Sequence, residues 1–193
     1  MIRYLNFLLA IFILIPIKAI ALIEVDITRG NLNPLPIAVS PLSIDNESNK
    51  NLKNLLKKTN IGSEISKIVE NNLKTSGLFN PLNKDAFLQK PDIAHLKPRF
   101  EDWALIKAQA LITGKVTYQD QKLRVEFRLW DVLAAKEIMA LAFTTVPANW
   151  RRVGHIITDK VYERLTGEKG YFDTRIIYVA EKGPKIKRIK KLA

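Results

Sequence analysis

Leu123, Val125, Phe127 and Leu129 alternate with Arg124, Glu126, Arg128 and Trp130. A period of two puts one side of a strand in a core and the other toward water. Ala110–Tyr118 and Glu137–Val146 read as strands on either side, with a turn at Gln119–Gln121, so the region predicts a β-meander. A sheet with one apolar face must bury that face against another layer. Two segments have the helical period to supply it. Ile65, Ile68, Val69 and Leu73 share a face, with Ser63 as the expected N-cap and Gly77 as the stop. Val153, Ile157, Val161 and Leu165 recur every fourth residue with Ile156 beside them, between Asn149 as candidate cap and Gly167 as stop. The prediction is an α+β domain, a mostly antiparallel sheet packed by two main helices. Ile37–Val39, bounded by prolines, is an expected short strand, with the prolines marking either a sheet edge or a strand start. Asn51–Lys58 is an expected loose helix, and Asn80–Pro98, with three prolines, is expected to be irregular.

The first 21 residues follow a different logic. Arg3 precedes nine consecutive apolar residues, Phe7–Ile15, and Pro16 leads to the small-x-small stretch Ala19-Ile20-Ala21. The run is shorter than the ~20 residues a bilayer span needs. It predicts a secretory signal peptide cleaved between Ala21 and Leu22, and hence an exported protein, with an uncleaved anchor as the other reading. Cleavage exposes a second alternating segment, in which Ile23, Val25 and Ile27 interleave with Glu24, Asp26 and Thr28. Arg29–Pro34 then breaks the pattern with turn-forming residues. Such a strand pairs either with its own sheet or with the open edge of a partner's.

Composition narrows the chemistry. With no cysteine, neither a disulfide nor a thiolate nucleophile or ligand is available. Of the formal charge of +12, two units lie in residues 1–21 and five in residues 181–193, which leaves a mildly basic body. That body lacks the basic stripe with interleaved aromatics of a nucleic-acid reader. His155 lies beside the apolar face of its helix, with no carboxylate or nucleophile at a useful spacing, and reads as a satisfied, partly buried histidine. Asp159 and Glu163 are interleaved with Lys160 and Arg164 and read as a solvated charged face. There is no phosphate-cradling glycine loop, G-x-S-x-G or H-E-x-x-H motif. A non-enzyme is expected, with no cofactor, metal or small-molecule substrate.

The residues become most specific at 149–183, "NWRRVGHIITDKVYERLTGEKGYFDTRIIYVAEKG". The set Trp150-Arg151-Arg152, His155, Asp159, Tyr162-Glu163, Leu165-Thr166-Gly167 and Tyr171–Arg175 resembles the TolB family of the periplasmic Tol-Pal system. "FEDWALIKAQALITGKV", "LRVEFRLWDV" and "IEVDITRGNLNPLPIAV" support the resemblance. Departures are Lys107 where a small residue is expected, Gly154 for alanine, and Leu133–Lys136, a turn without its usual glycine.

The resemblance implies a non-enzymatic adaptor that supports outer-membrane integrity and invagination during cell division. Leu22–Asn33 would be an arm for the C-terminal domain of TolA, with Ile23, Glu24, Val25, Asp26, Ile27 and Thr28 as its contacts. Residues 34–170 would form the α+β domain. Residues 171–193 would begin the first blade of a six-bladed propeller, with Arg175–Val179 as its opening strand and fraying beyond about Ala180. The chain reads as truncated there, so binding of Pal, which the resemblance assigns to the propeller, is expected to be lost. An independent exported α+β interaction module of another envelope assembly is the alternative.

Overall fold

The computed structural model describes residues 33–58, 60–174, 177–184 and 187–192. The meander is present, as β4 (Ala110–Gln119), β5 (Lys122–Asp131) and β6 (Lys136–Thr145). Its ladders are antiparallel and pair ten residues of β4 with ten of β5. The turn between them holds Asp120 and Gln121 at φ 51° and 59°, the left-handed pair that suits the twist of a two-residue hairpin.

The other half of the sheet is parallel. β1 (Leu35–Val39) lies between β3 (Phe79–Pro81) and β4 and runs parallel to both. β2 (Ser43–Ile44) continues along β4 after an interruption at Ser40–Leu42. The order is β3-β1-β4-β5-β6, with β2 also on β4. By paired length the sheet is mostly antiparallel, yet β1 is an interior strand, so of the two readings of its prolines the strand start holds and the sheet edge does not. Pro34 precedes the strand and Pro41 falls in the interruption. Pro36, its second residue and in register with Asn80, sits at the strand start, where its carbonyl still accepts the Gln109 N–H at 3.0 Å.

Helices α1 (Asn46–Leu56) and α2 (Ile61–Thr75) lie between β2 and β3, and the last long helix, residues Trp150–Thr166, follows β6. Asp45 caps α1, its carboxylate accepting the Ser48 N–H at 2.8 Å, so this helix starts five residues before the expected position. Asn60, not Ser63, caps α2; its side chain accepts the Ser63 N–H at 2.9 Å. The reason is Ile61, which is buried and so draws the helix start to its own position. Asn149 stands at the N-cap of the last helix without capping it. The chain enters that helix through a 3₁₀ turn, Pro147–Asn149, and the Asn149 amide donates to Thr145 Oγ1 at 3.2 Å.

Asn80–Pro98 is more ordered than its three prolines suggest. It holds the end of β3, a 3₁₀ turn at Lys84–Ala86, and helix α3 (Pro91–Leu96), in which Pro91 occupies the first turn. Proline is tolerated there because that N–H has no partner in any helix. Helix α4 (Phe100–Leu105) follows, and the last long helix is therefore α5.

The two faces of the sheet are unequal. The larger core joins Ile37, Val39, Ile112, Val116, Val125, Phe127 and Leu129 to Ile65, Val69, Leu73, Val153, Ile157, Val161 and Leu165 of α2 and α5. A smaller cluster on the opposite face joins Ala38, Leu111, Trp130 and Val132 to Ala94 and Trp103 beneath α3 and α4. Trp130 thus alternates onto the outer face as the pattern requires, but that end of the face is covered. Trp103, only 1% exposed, stacks edge-on against Phe87 at 5.0 Å. Its indole N–H and the Arg99 N–H both donate to the buried Gln89 carbonyl, whose amide donates in turn to the Lys97 carbonyl.

After the last helix, β7 (Val179–Lys182) and β8 (Ile189–Leu192) pair antiparallel as a two-stranded sheet separate from the main one. The expected opening strand, Arg175–Val179, reaches this ladder only through Val179; Arg175 and Ile176 lie outside the described residues.

Two departures from the family pattern fall on strained backbone. Lys107 has φ 63° and Ala135, within the turn that lacks glycine, has φ 49°. A side chain there costs about 1 kcal/mol relative to glycine. Lys107→Gly and Ala135→Gly should each raise the unfolding free energy by about 0.5–1 kcal/mol, additively, in urea melts.

His95 on α3 supplies a pH dependence. It is 8% exposed and its Nδ1 has no hydrogen-bond partner among the described residues. Burial first, and then the Arg128 guanidinium, hold its pKa below the ordinary value of 6.5, against smaller opposing effects of Glu126 and Asp92. The unfolded chain therefore takes up the proton at higher pH than the folded one. Stability should fall as pH drops below about 6.5, and His95→Gln should flatten that part of the profile in melts between pH 7 and 5.5.

Candidate functional site

Ala21 and Leu22, the expected cleavage site, and Ile23, Glu24, Val25, Asp26, Ile27 and Thr28, the expected arm contacts, lie outside the described residues. What is described is the arm's root. Asn33 and Pro34 are exposed, and the Leu35 N–H donates to the Leu78 carbonyl at 2.9 Å. Leu35 sits in register with Phe79 on β3. The segment that precedes β1 is therefore anchored at a fixed point on the β3 side of the sheet.

The residues of 149–175 converge on α5. Helices α2 and α5 cross closely at Gly154: a β-carbon at 154 would lie 2.9 Å from Cγ2 of Ile68. Gly154, a departure on sequence grounds, gives up roughly 1 kcal/mol of helix propensity and gains a close approach of the two helices. Beside it, Asn72 of α2 reaches across. Its Nδ2 lies 2.9 Å from His155 Nδ1 and donates to Thr158 Oγ1 at 3.1 Å. Thr158 Oγ1 in turn donates to the Gly154 carbonyl at 2.8 Å. His155 is half-buried and bonded, the structural role its position beside the apolar face suggests.

Asp159 does something the sequence does not reveal. Its two carboxylate oxygens accept the backbone N–H groups of Phe172, at 2.7 Å, and Asp173, at 3.1 Å. A β-carbon at residue 170 would lie 2.5 Å from Asp159 Oδ1, so only glycine lets the chain pass this close. The Asp173 carboxylate then accepts two contacts at 3.1 Å from Arg152 Nε, about two helical turns before Asp159. Tyr162 presents its ring edge-on to Tyr171 at 5.6 Å and Phe172 at 5.8 Å, and packs against Phe79 at 6.2 Å. Glu163, by contrast, pairs with Lys160 at 2.9 Å on the solvated face.

These contacts form a clamp. After α5 stops at Gly167, with φ 76°, the chain doubles back along the helix and is held there by a carboxylate, a guanidinium and an aromatic cluster. Phe79 joins the clamp to the arm's root, since it touches Tyr162 and is in register with Leu35. The arrangement positions two chain segments. Among the described residues no cluster of three or more His, Asp or Glu could hold a metal ion. A sequence signal for the clamp exists only in retrospect, as an Asp eleven residues before a Gly followed by two aromatics and an acid.

The clamp predicts a local effect. Charge-assisted bonds of this kind contribute about 1.5–3 kcal/mol. In Asp159→Ala, amide exchange at Phe172 and Asp173 should accelerate by about tenfold or more. Exchange in β4 and β5 should change far less.

Residues 23–138, more than half of the chain, match the model of the TolB amino-terminal domain. The Tol-Pal system protein TolB of Pelagibacter ubique (strain HTCC1062) is 80% identical over 189 residues, which is 98% of this chain and 42% of that protein. The chain thus spans less than half the length of that relative. A crystal structure of TolB from Acinetobacter baumannii superposes with a TM-score of 0.60 at 24% identity, covering 76% of this chain and 32% of that one, and shares the fold. The chain belongs to the TolB family and carries its amino-terminal domain.

Proposed function

We propose that this chain is a non-catalytic adaptor of the Tol-Pal system, exported to the periplasm with residues 1–21 removed as a signal peptide. In this reading Leu22–Asn33 is an arm offered to the C-terminal domain of TolA. Ile23, Val25 and Ile27 supply apolar contacts, and Glu24, Asp26 and Thr28 the polar side of an added strand. Strand addition suits an alternating segment, since main-chain bonds give affinity and alternate side chains give specificity. The body, residues 34–170, fixes the root of the arm and the direction in which the chain leaves the domain. In this reading Pal binds to a propeller region outside the amino-terminal domain, and residues 22–170 supply the contact to TolA alone. The role served is envelope integrity and inward growth of the outer membrane at division.

One observation carries the reading: the family match begins at residue 23 and so takes in the alternating segment together with the folded domain. The strand pattern at the arm and the turn-forming link behind it support the same use.

The test is capture by the immobilised C-terminal domain of TolA. A chain starting at Leu22 should be retained, and deletion of Leu22–Asn33 should abolish retention while circular dichroism stays unchanged. No capture, or capture that survives the deletion, overturns the arm assignment. Capture of this chain by Pal overturns the division of labour.

A further inference from the structure

Strand β6 closes the sheet on the side remote from β3, and its outer edge pairs with no other described strand. Soluble proteins blunt such edges with proline, charge or bulges. β6 is irregular only near its start, where Leu129 pairs with Met139 but Trp130 with Glu137. From Ile138 to Thr145 it holds neither a charge nor a proline. Its two sides differ. Met139, Leu141 and Phe143 lie on the side of the larger core, where Phe143 stacks on Phe127 at 6.1 Å and Leu141 is 39% exposed. Ala140, Ala142 and Thr144 lie on the outer side, next to Arg128, Glu126 and Arg124 of β5. That side also bears Lys115 and Lys122. Arg124 pairs with Glu126 and Arg128 with Glu137, leaving four cations against two carboxylates.

The edge therefore calls for a strand that is apolar on one side and acidic on the other. The segment Ile23–Thr28 has that pattern. We infer that β6 takes up Ile23–Thr28 of a second copy of this chain as an added antiparallel strand. With Val25 opposite Leu141, Ile23 lies beside Phe143 and Ile27 beside Met139. Glu24 and Asp26 then fall beside Ala142 and Ala140, whose short side chains leave the carboxylates a path toward Arg124 and Arg128.

Link length favours the second copy over the same chain. Four strand spacings, about 19 Å, separate β1 from the position beyond β6. A coil of six residues, the length of the link Arg29–Pro34, has a root-mean-square reach of about 14 Å. A chain's own arm would have to run taut around the end of the sheet, whereas a neighbour's arm has no such constraint. Reciprocal exchange closes a two-fold dimer.

The inference assumes that residues 1–21 are removed, as proposed above, but not that TolA is a partner. The experiment is sedimentation equilibrium of residues 22–193, together with nuclear magnetic resonance titration by a peptide of residues 22–33. A concentration-dependent dimer is expected, with peptide-induced shifts confined to β6 and the neighbouring residues of β5. Ala142→Glu, an exposed position, should weaken association at least tenfold without altering circular dichroism, and adding Glu24→Lys, which faces position 142 while Asp26 keeps its place toward Arg128, should restore part of it. A monomer at all concentrations, a dimer that survives removal of residues 22–33 or Ala142→Glu, or peptide shifts centred on β3 each overturn the inference. Capture by TolA without self-association would sink this inference and leave the proposed function standing.

Discussion

The close crossing of α2 and α5 sets the geometry on which the rest of the domain depends. With no side chain at Gly154, Ile68 can press against the backbone of α5, and Asn72 can reach both His155 and Thr158. The two helices then act as one slab over the larger core. Asp159, one residue beyond Thr158, is aimed outward from that slab at the returning chain. A wider crossing would leave the Asn72 amide short of its partners, and these are buried or half-buried groups that cost most when unmade. Residues that read as a signature are thus mainly a mutual positioning device.

Periodicity made the larger core legible. The alternation in β5 and the four-residue spacing in α5 each name the buried residues almost without error, because a long regular element averages over local exceptions. The parallel strands were not legible. β3 has three residues and β2 two, too few for any period to show, and their partners are distant in sequence. Proline was read too simply. At position 91 it starts a helix, and at position 36 it is the second residue of an interior strand, at the strand start where a missing N–H is tolerated.

The candidate site divides in the same way. His155 was legible as a structural histidine because its position beside an apolar face constrains it. Asp159 was not, since an acid among lysines and arginines on a helix surface has no feature that marks a tertiary partner. Its role depends on a chain reversal at Gly167 and a close pass at Gly170, which only the folded arrangement brings together. Gly154 and Lys107 show that a departure from pattern carries information of two kinds: one permits a contact, the other burdens the backbone.

Phe79 sits between the two places where the chain enters and leaves the domain, in register with Leu35 on one side and against Tyr162 on the other. A pull applied to the arm, with the exit segment held, would follow a short path: along β1 in shear against its parallel neighbours, across one aromatic contact, and out through the clamp. Strands β5 and β6 and most of the core lie off that line. The domain can therefore serve as a stiff mechanical coupling between its two ends while the larger part of its hydrophobic interior stays unloaded.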